Sequence, residues 1–169
     1  MEHFNMNIAL CKKFDESTQS VIGIMNEVDL NAQEEENKIE INVFTLVSGF
    51  GEEPADEMEF DYYLRCTNDD ENPEEKTYSG RSSYLFSMTM KKADDKKKED
   101  ESSIPTYVGT FQAMSSWKRT IFFPCTGHFE IQVFRNESEI EEKDALERLK
   151  KYIRNNQDPV AIYHFDVKR

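Results

Sequence analysis

Histidine is a common metal ligand and general base in proteins, and this chain has three of them, His3, His128 and His164. No two histidines stand one helical turn apart, which is the spacing of the helical metal motifs. His128 and His164 can meet across adjacent strands, but both alternate away from the predicted core. The sequence therefore predicts solvent-exposed histidines and no metal site.

A cluster of acidic residues offers a second kind of site, because calcium is bound by oxygen ligands that converge from flexible segments. The cluster lies between two predicted strands and consists of Asp69, Asp70, Glu71, Glu74 and Glu75. Its spacing matches no EF-hand loop and lacks the glycine of that loop. We expect a solvated acidic turn, and we retain these five residues as candidates for contact with a partner.

Nucleophilic catalysis needs a serine or cysteine beside a base, and neither a Gly-x-Ser-x-Gly motif nor a phosphate-binding glycine loop is present. Cys11, Cys66 and Cys125 are an odd number without a Cys-x-x-Cys pair, which argues against a disulfide framework and a zinc knuckle. A thiol without a cationic neighbour is also a poor nucleophile. The sequence predicts no catalytic residue, no cofactor and no enzymatic activity.

Aromatic and cationic residues near the middle of the chain favour binding over catalysis. Trp117, Lys118 and Arg119 are consecutive, and tryptophan and arginine are enriched in the hot spots of protein interfaces. Phe122 and Phe134 are out of phase with the inward-facing residues of their predicted strands. Trp117, Phe122 and Phe134 are therefore candidates for an exposed apolar patch or an oligomer contact, while core packing is the alternative explanation.

The net charge of the chain is −13, from 34 acidic and 21 basic residues. Such a surface repels phosphate backbones, so direct binding of nucleic acid is not expected. Two interpretations remain open. Either the acidity only keeps the protein in solution, or the carboxylates form a ligand for the basic surface of another protein and imitate nucleic acid.

Apolar residues recur at every second position in several segments, as they do in half-buried β-strands. The clearest runs are Phe60/Tyr62/Leu64, Tyr84/Phe86/Met88/Met90 and Phe129/Ile131/Val133. One apolar and one polar face is typical of antiparallel sheets, whereas a parallel sheet covered on both faces needs continuous apolar runs. With seven to nine strands, the chain is predicted to be mainly β, an antiparallel β-sandwich, immunoglobulin-like or C2-like, with one C-terminal α-helix and a final strand.

The length of 169 residues fits a single domain. A helix is predicted over 139–154, because Ser138 and Glu141 match a capping box. This helix and the strand after it form an extension over 138–169. Mixed charge without aromatic residues predicts a mobile loop at about 91–104.

Two local irregularities are expected in the early strands. Ile39, Ile41 and Val43 alternate regularly, but Phe44 then appears in the opposite phase, which predicts a bulge near Phe44 or burial on both faces. In the second strand of the opening hairpin, Gly23 predicts a bulge or a close backbone approach.

The first residues lack a basic stretch followed by an apolar core, and no apolar run approaches the length of a membrane span. Neither secretion nor insertion into a membrane is expected. Together with cysteines that are predicted to be reduced, this favours a cytoplasmic location.

Three stretches carry a resemblance to known proteins, namely the second strand Ser20–Ile24, the middle strands, and the run Thr126–Val133. Residues 4–136 resemble a family of short bacterial β-sandwich proteins of unknown function. The resemblance implies a sandwich fold and no catalytic residue. The helix and strand after Ser138 depart from the family pattern, which leaves open an appended interaction element.

These observations predict a non-enzymatic acidic interaction module that binds another macromolecule, a protein with a basic surface, in the bacterial cytosol. Whether the chain also forms an oligomer stays open. The alternative is a phage or mobile-element inhibitor whose carboxylates imitate nucleic acid and block a host nuclease or CRISPR complex. The alternative requires the acids of 52–61, 69–75 or 137–147 to lie together on one face.

Overall fold

A computed structural model of the protein describes residues 3–15, 17–18, 20–32, 37–50, 57–67, 82–91, 110–136 and 144–169. The described residues form nine strands, one α-helix and a short 3-10 helix, Leu30–Ala32. The strands are β1 (His3–Asp15), β2 (Ser20–Ile24), β3 (Glu27–Asp29), β4 (Lys38–Phe50), β5 (Glu57–Cys66), β6 (Ser82–Lys91), β7 (Thr110–Phe122), β8 (Gly127–Asn136) and β9 (Ala161–Lys168). The α-helix, α1, is Ala145–Arg154 and precedes the final strand.

The strands form two sheets that pack face to face. One sheet has the order β2-β1-β4-β7, and the other has the order β3-β9-β8-β5-β6. The pairs are antiparallel, except that the short strand β3 runs parallel to β9. The predicted fold class, a mainly β sandwich with a C-terminal helix and a final strand, is confirmed.

Alternating side chains from both sheets meet in one core. The predicted inward positions of Tyr62, Phe86 and Ile131 are correct, because Tyr62 and Ile131 are fully buried and Phe86 is nearly so. Tyr62 and Phe86 stack with their ring centroids 4.4 Å apart. Burying such large apolar side chains is the main favourable contribution to folding, at about 25 cal/mol per Å² of apolar surface.

The predicted bulge at Phe44 is absent, because β4 keeps one register with both β1 and β7 along its length. The inward positions continue through Thr45 to Val47, so a threonine takes the place of an apolar residue. Phe44 lies on the other face, where its ring stacks on Phe14 at 5.3 Å. The phase change in the sequence therefore reflects partial burial on both faces.

The opening hairpin is confirmed, and Gly23 has the unusual backbone that was expected. Its φ is +65°, in the left-handed region that glycine adopts without strain. The register between β1 and β2 does not shift across it, so the chain has a close approach here and no bulge. A Cβ at this position would lie 3.2 Å from the side chain of Lys12.

An irregularity that the sequence did not predict occurs in β6. The register with β5 shifts between the pairs Tyr62–Phe86 and Tyr63–Tyr84, so Leu85 is an extra residue in β6. An extra residue sends the preceding side chain to the other face of the sheet. The predicted inward position of Tyr84 is therefore wrong, and its ring instead meets Tyr63 edge-on at 5.9 Å.

Helix α1 begins at Ala145, later than the predicted Glu139. The side chain of Asp144 caps it by accepting hydrogen bonds from the backbone N–H groups of Leu146 and Glu147, at 2.9 and 3.0 Å. The predicted capping box at Ser138–Glu141 lies outside the described residues, as does the predicted loop at 91–104 beyond Lys91.

A buried carboxylate attaches α1 to the outer face of the five-stranded sheet. Asp61 of β5 has no exposed surface, and its two oxygens accept hydrogen bonds from the Arg148 guanidinium at 2.7 and 2.8 Å. Tyr152 donates its hydroxyl to the same carboxylate at 2.7 Å. Ser87 of β6 also donates to Asp61, so the carboxylate joins the helix to two strands.

The electrostatics of this group favour the charged carboxylate. Desolvation by burial opposes ionisation, but hydrogen bonds from Arg148, Ser87 and Tyr152 outweigh it and hold the pKa of Asp61 below its usual value. Burial and the hydrogen bond to Asp61 raise the pKa of the Tyr152 hydroxyl. The site is therefore an ion pair over the ordinary pH range.

Phe134 was a candidate for an exposed patch, with core packing as the alternative, and the structure shows it packed. Its outward position on β8 is covered by α1, so only 4% of the residue is exposed. Its ring stacks on that of Tyr152 with a centroid distance of 4.9 Å. Phe134 holds the helix on the sheet and is not available to a partner.

We expect Arg148→Met to destabilise the protein by about 3–5 kcal/mol, because it leaves the Asp61 carboxylate buried without its cation. The measurement is urea unfolding followed by circular dichroism. Lys150→Met on the same helix is the matched control, and its exposed pair with Glu147 predicts a change below about 1 kcal/mol. Equal losses in the two variants would contradict the assigned role of Arg148.

The lowered pKa of Asp61 also predicts how stability depends on pH. The contribution of this ionised group is fully present above its unfolded pKa of about 3.9, and is lost as the pH falls through the lower folded value. Between about pH 5 and pH 2, the free energy of unfolding should therefore fall more steeply in the natural protein than in Asp61→Asn. Parallel pH profiles of the two proteins, measured by urea unfolding, would refute this prediction.

Candidate functional site

The two lateral sides of the sandwich differ. On one side the edge strands β2 and β3 are short, and the chain passes directly from one to the other through Met25 and Asn26. Met25 donates its backbone N–H to the carbonyl of Leu10 at 2.8 Å, and Asn26 accepts from the N–H of Asp166 at 2.9 Å. The hydroxyl of Tyr163 donates to the Met25 carbonyl at 3.1 Å. These hydrogen bonds connect the two sheets along that side of the sandwich.

On the opposite side the edge strands are long. β6 has 10 residues and β7 has 13, and each ends its sheet. Among the described residues, no strand pairs with the outer edge of either one. An unpaired edge presents a row of backbone N–H and C=O groups that can bind another extended chain.

A cleft of about 210 Å³ opens between β6 and β7. Its apolar wall is formed by the side chains of Val47, Met88, Met90, Met114 and Trp117. Three hydroxyl residues, Thr45, Thr89 and Ser115, also line it. Methionines adapt their shape to a bound group because the side chain is unbranched and polarisable, so this wall suits a large apolar side chain.

Hydrogen bonds fix the floor of the cleft. Thr45 is almost fully buried, and its Oγ1 lies 2.8 Å from the hydroxyl of Tyr62. Burial raises the pKa of Tyr62 to about 12, against the effect of its bond to Thr45. On the β7 side, Ser115 donates to the sulfur of Met88 at 2.9 Å. These bonds join side chains of the two sheets beneath the cleft.

Trp117 and Arg119 of β7 stand at the rim. The Trp117 ring lies 5.5 Å from that of Phe86 on β6, and the Arg119 guanidinium lies 5.1 Å from the centroids of both rings. The indole Nε1 of Trp117 is buried and has no hydrogen-bond partner in the part of the chain that is described. Arg119 makes no ion pair with a carboxylate of the described residues.

The other predicted site residues are dispersed. Phe122 lies at the far end of β7 with 56% of its surface exposed. It pairs with Lys38 there and does not line the cleft. The five candidates Asp69, Asp70, Glu71, Glu74 and Glu75 lie outside the described residues. Of the three predicted interaction residues that the structure describes, only Trp117 lies at the cleft.

His128 and His164 are exposed, as predicted. Each contacts a carboxylate of the neighbouring strand, His128 with Asp166 at 2.5 Å and His164 with Glu130 at 3.4 Å. No group of three or more His, Cys, Asp or Glu side chains within the described ranges could hold a metal ion. No helix in those ranges has the length and apolar content needed to cross a bilayer.

The acidity of the chain is concentrated between the described segments. The described residues hold 14 of the 21 basic and 12 of the 34 acidic residues, a net charge of +2. The remaining residues hold 7 basic and 22 acidic ones, a net charge of −15. Most described carboxylates also have partners within the chain, such as the pair of Glu40 with Lys118. The sandwich is thus nearly neutral.

Comparison with other proteins gives likenesses of fold. The sequence matches no protein-family model and no curated protein. A β-glucosidase from Listeria innocua, in complex with laminaribiose, aligns with 99% of this chain at 7% identity and a TM-score of 0.48. An alkylpurine DNA glycosylase from Pseudomonas fluorescens, bound to DNA containing an abasic site analog, aligns with 98% at 8% identity and a TM-score of 0.46.

This chain spans only 16% of the glucosidase and 30% of the glycosylase. An immunoglobulin-like protein from Pseudomonas aeruginosa is similar in length, with 98% of this chain aligned to 97% of that one, at 15% identity and a TM-score of 0.37. At these identities and scores, none of the three likenesses bears on what this chain binds or does.

We expect Tyr62→Phe to destabilise the protein by about 1–3 kcal/mol, because it leaves the buried Thr45 hydroxyl without its partner. In the double variant Thr45→Val/Tyr62→Phe, both polar groups are gone, so much of the loss should be recovered. Urea unfolding followed by the fluorescence of Trp117, the single tryptophan, measures both values. Additive losses would show that the two hydroxyls do not interact.

Proposed function

We propose that this protein is a non-enzymatic interaction module that binds an extended segment of another protein along β7. The observation that carries the proposal is the side of the sandwich where two long edge strands, unpaired at their outer edges among the described residues, flank an apolar cleft. Main-chain hydrogen bonds to a free edge supply affinity, and pockets for alternate side chains supply specificity. The side formed by β6 and β7 has an edge strand, β7, and an apolar cleft beside it.

The cleft defines the apolar part of the partner segment. Because side chains of a strand alternate between two faces, an extended segment paired with β7 directs every second side chain toward the cleft. Met88, Met90 and Met114 surround the space that such a side chain would enter. The segment is therefore expected to carry a large apolar residue, such as leucine, methionine or phenylalanine, at that position.

The charges define the rest of the partner. Arg119 stands at the rim without a carboxylate partner among the described residues, so a single acidic residue next to the apolar one would be complementary to it. The net charge of −13 repels a partner that is acidic overall and attracts a basic one. We infer a basic partner protein that presents a short apolar strand with one carboxylate.

A binding role is also consistent with the chemistry of the cleft. The described residues that line it include three hydroxyls but no histidine, aspartate, glutamate or lysine. A serine or threonine needs an adjacent base to act as a nucleophile. The lining therefore offers hydrogen bonds to a ligand and no activated group.

The nucleic-acid mimic is less well supported by the described residues. Asp61, which belongs to the first of the three acidic groups that the mimic would use, is buried and paired with Arg148. Glu59, near the start of β5, pairs with Asn136 at the end of β8, so the described strand ends next to the first and third acidic groups lie at one end of the sandwich. Cys66 and Ser82, the described strand ends that flank the second group, lie at the opposite end.

The test selects peptides that bind the full chain from a displayed library of random 12-residue peptides. The selected peptides are then synthesised. Selected peptides should shift the backbone amide signals of β7 in nuclear magnetic resonance spectra. Met114→Lys places a charge in the cleft and should weaken binding at least about tenfold, since it removes apolar contact. Phe122→Lys makes the same charge change on the same strand, away from the cleft, and should leave binding unchanged.

Salt dependence separates the two functions. Binding of the selected peptides through strand pairing and apolar contact should change less than about threefold between 50 and 500 mM salt, because a 12-residue peptide lacks the overall basic charge expected of the whole partner. Binding that is insensitive to Met114→Lys and disappears at high salt would contradict the proposal and support the mimic. If sedimentation shows a complex that consists only of two copies of this chain, the proposed partner is wrong and the edge serves self-association.

A further inference from the structure

Cys66 and Cys125 are brought together at one end of the sandwich, although they are 59 positions apart in the sequence. Their sulfur atoms are 3.8 Å apart. Cys66 is the last residue of β5, and Cys125 lies in the turn between β7 and β8. This pair could not be predicted from the sequence, because the spacing of the two cysteines matches no motif.

The backbone around the pair is held in place on the β5 side. Thr67, which follows Cys66, donates its N–H to the carbonyl of His128 at 2.9 Å, and Cys66 itself is in register with Phe129. Cys125 lies in an exposed turn. A disulfide requires the sulfurs to approach to about 2 Å, and a turn at the surface can make this movement without displacing a strand.

We propose that Cys66 and Cys125 form a reversible intramolecular disulfide when the protein meets a small disulfide oxidant such as glutathione disulfide. The exposed Cys125 thiolate attacks the oxidant, and one glutathione thiolate leaves. The Cys66 thiolate then attacks the Cys125 sulfur of this mixed disulfide and displaces the second glutathione as a thiolate. Two cysteine thiols are oxidised, one glutathione disulfide is reduced to two glutathiones, and the two cysteine protons pass to these products.

The third cysteine provides an internal contrast. Cys11 is fully buried, and desolvation raises the pKa of its thiol, which lowers its reactivity as a thiolate. Oxidation is therefore directed to one pair of the three cysteines.

The disulfide would close a covalent loop from residue 66 to residue 125, which contains both β6 and β7. Cross-links stabilise a protein chiefly by restricting its unfolded state, so a loop of this length should raise the thermal stability of the fold. The inference is independent of the proposed peptide binding, since neither cysteine lines the cleft.

The test equilibrates the reduced full chain in glutathione buffers of increasing oxidation, blocks remaining thiols by alkylation, and maps peptides by mass spectrometry. We expect a linked Cys66–Cys125 peptide and a rise in Tm of about 5–15 °C. Cys66→Ser and Cys125→Ser should abolish the rise. Cys11→Ser, compared between its own reduced and oxidised forms, should retain it.

Three outcomes would overturn the proposal. The first is a chain that stops at a mixed disulfide of Cys125 with glutathione. The second is cross-linking between Cys125 residues of two chains, seen as a dimer on a non-reducing gel. The third is a linked peptide that forms without any change in the Tm of the natural protein, which would show that the cross-link does not stabilise the fold.

Discussion

The position of the helix and of edge strand β6 depends on one buried ion pair, between Asp61 and Arg148. A charge inside a protein is stable only where its hydrogen bonds are complete, and this carboxylate obtains them from α1 and from Ser87. The helix therefore covers the outer face of β6 and β5. Because Ser87 is held outward, Phe86 and Met88 on either side of it face the other sheet. Met88 lines the cleft.

Much of the fold follows from local alternation in the sequence. Runs such as Phe129, Ile131 and Val133 point into the core as predicted, but the alternate residues Glu130 and Gln132 are buried as well. The errors occur where a distant element changes the environment of a strand. Phe134 is out of phase with its neighbours and is nevertheless buried, because α1 supplies a second apolar layer. Tyr84 changes face because of one extra residue, Leu85, which periodicity alone does not reveal.

The cleft could be predicted only in part. Trp117 and Arg119 were recognisable by residue type, but their neighbours Phe86 and Met88 come from a strand that is distant in sequence. Which strands end a sheet is a property of the pairing order, and the alternation of a single strand does not contain it. The partner of Asp61 was hidden for a related reason, since an arginine on an amphipathic helix is ordinarily assigned to solvent, and Arg148 points inward.

The uneven distribution of charge has a consequence for the colloidal behaviour of the molecule. A 13-residue edge strand whose outer edge pairs with no described strand is a template on which identical molecules can stack into fibres. Here the described residues are nearly neutral and the rest of the chain holds an excess of 15 negative charges, so the net charge of −13 makes two copies repel one another. That repulsion acts only over about 8 Å at physiological ionic strength. Under the proposed function, this acidity would disfavour the stacking of identical copies and favour a dissimilar, oppositely charged neighbour.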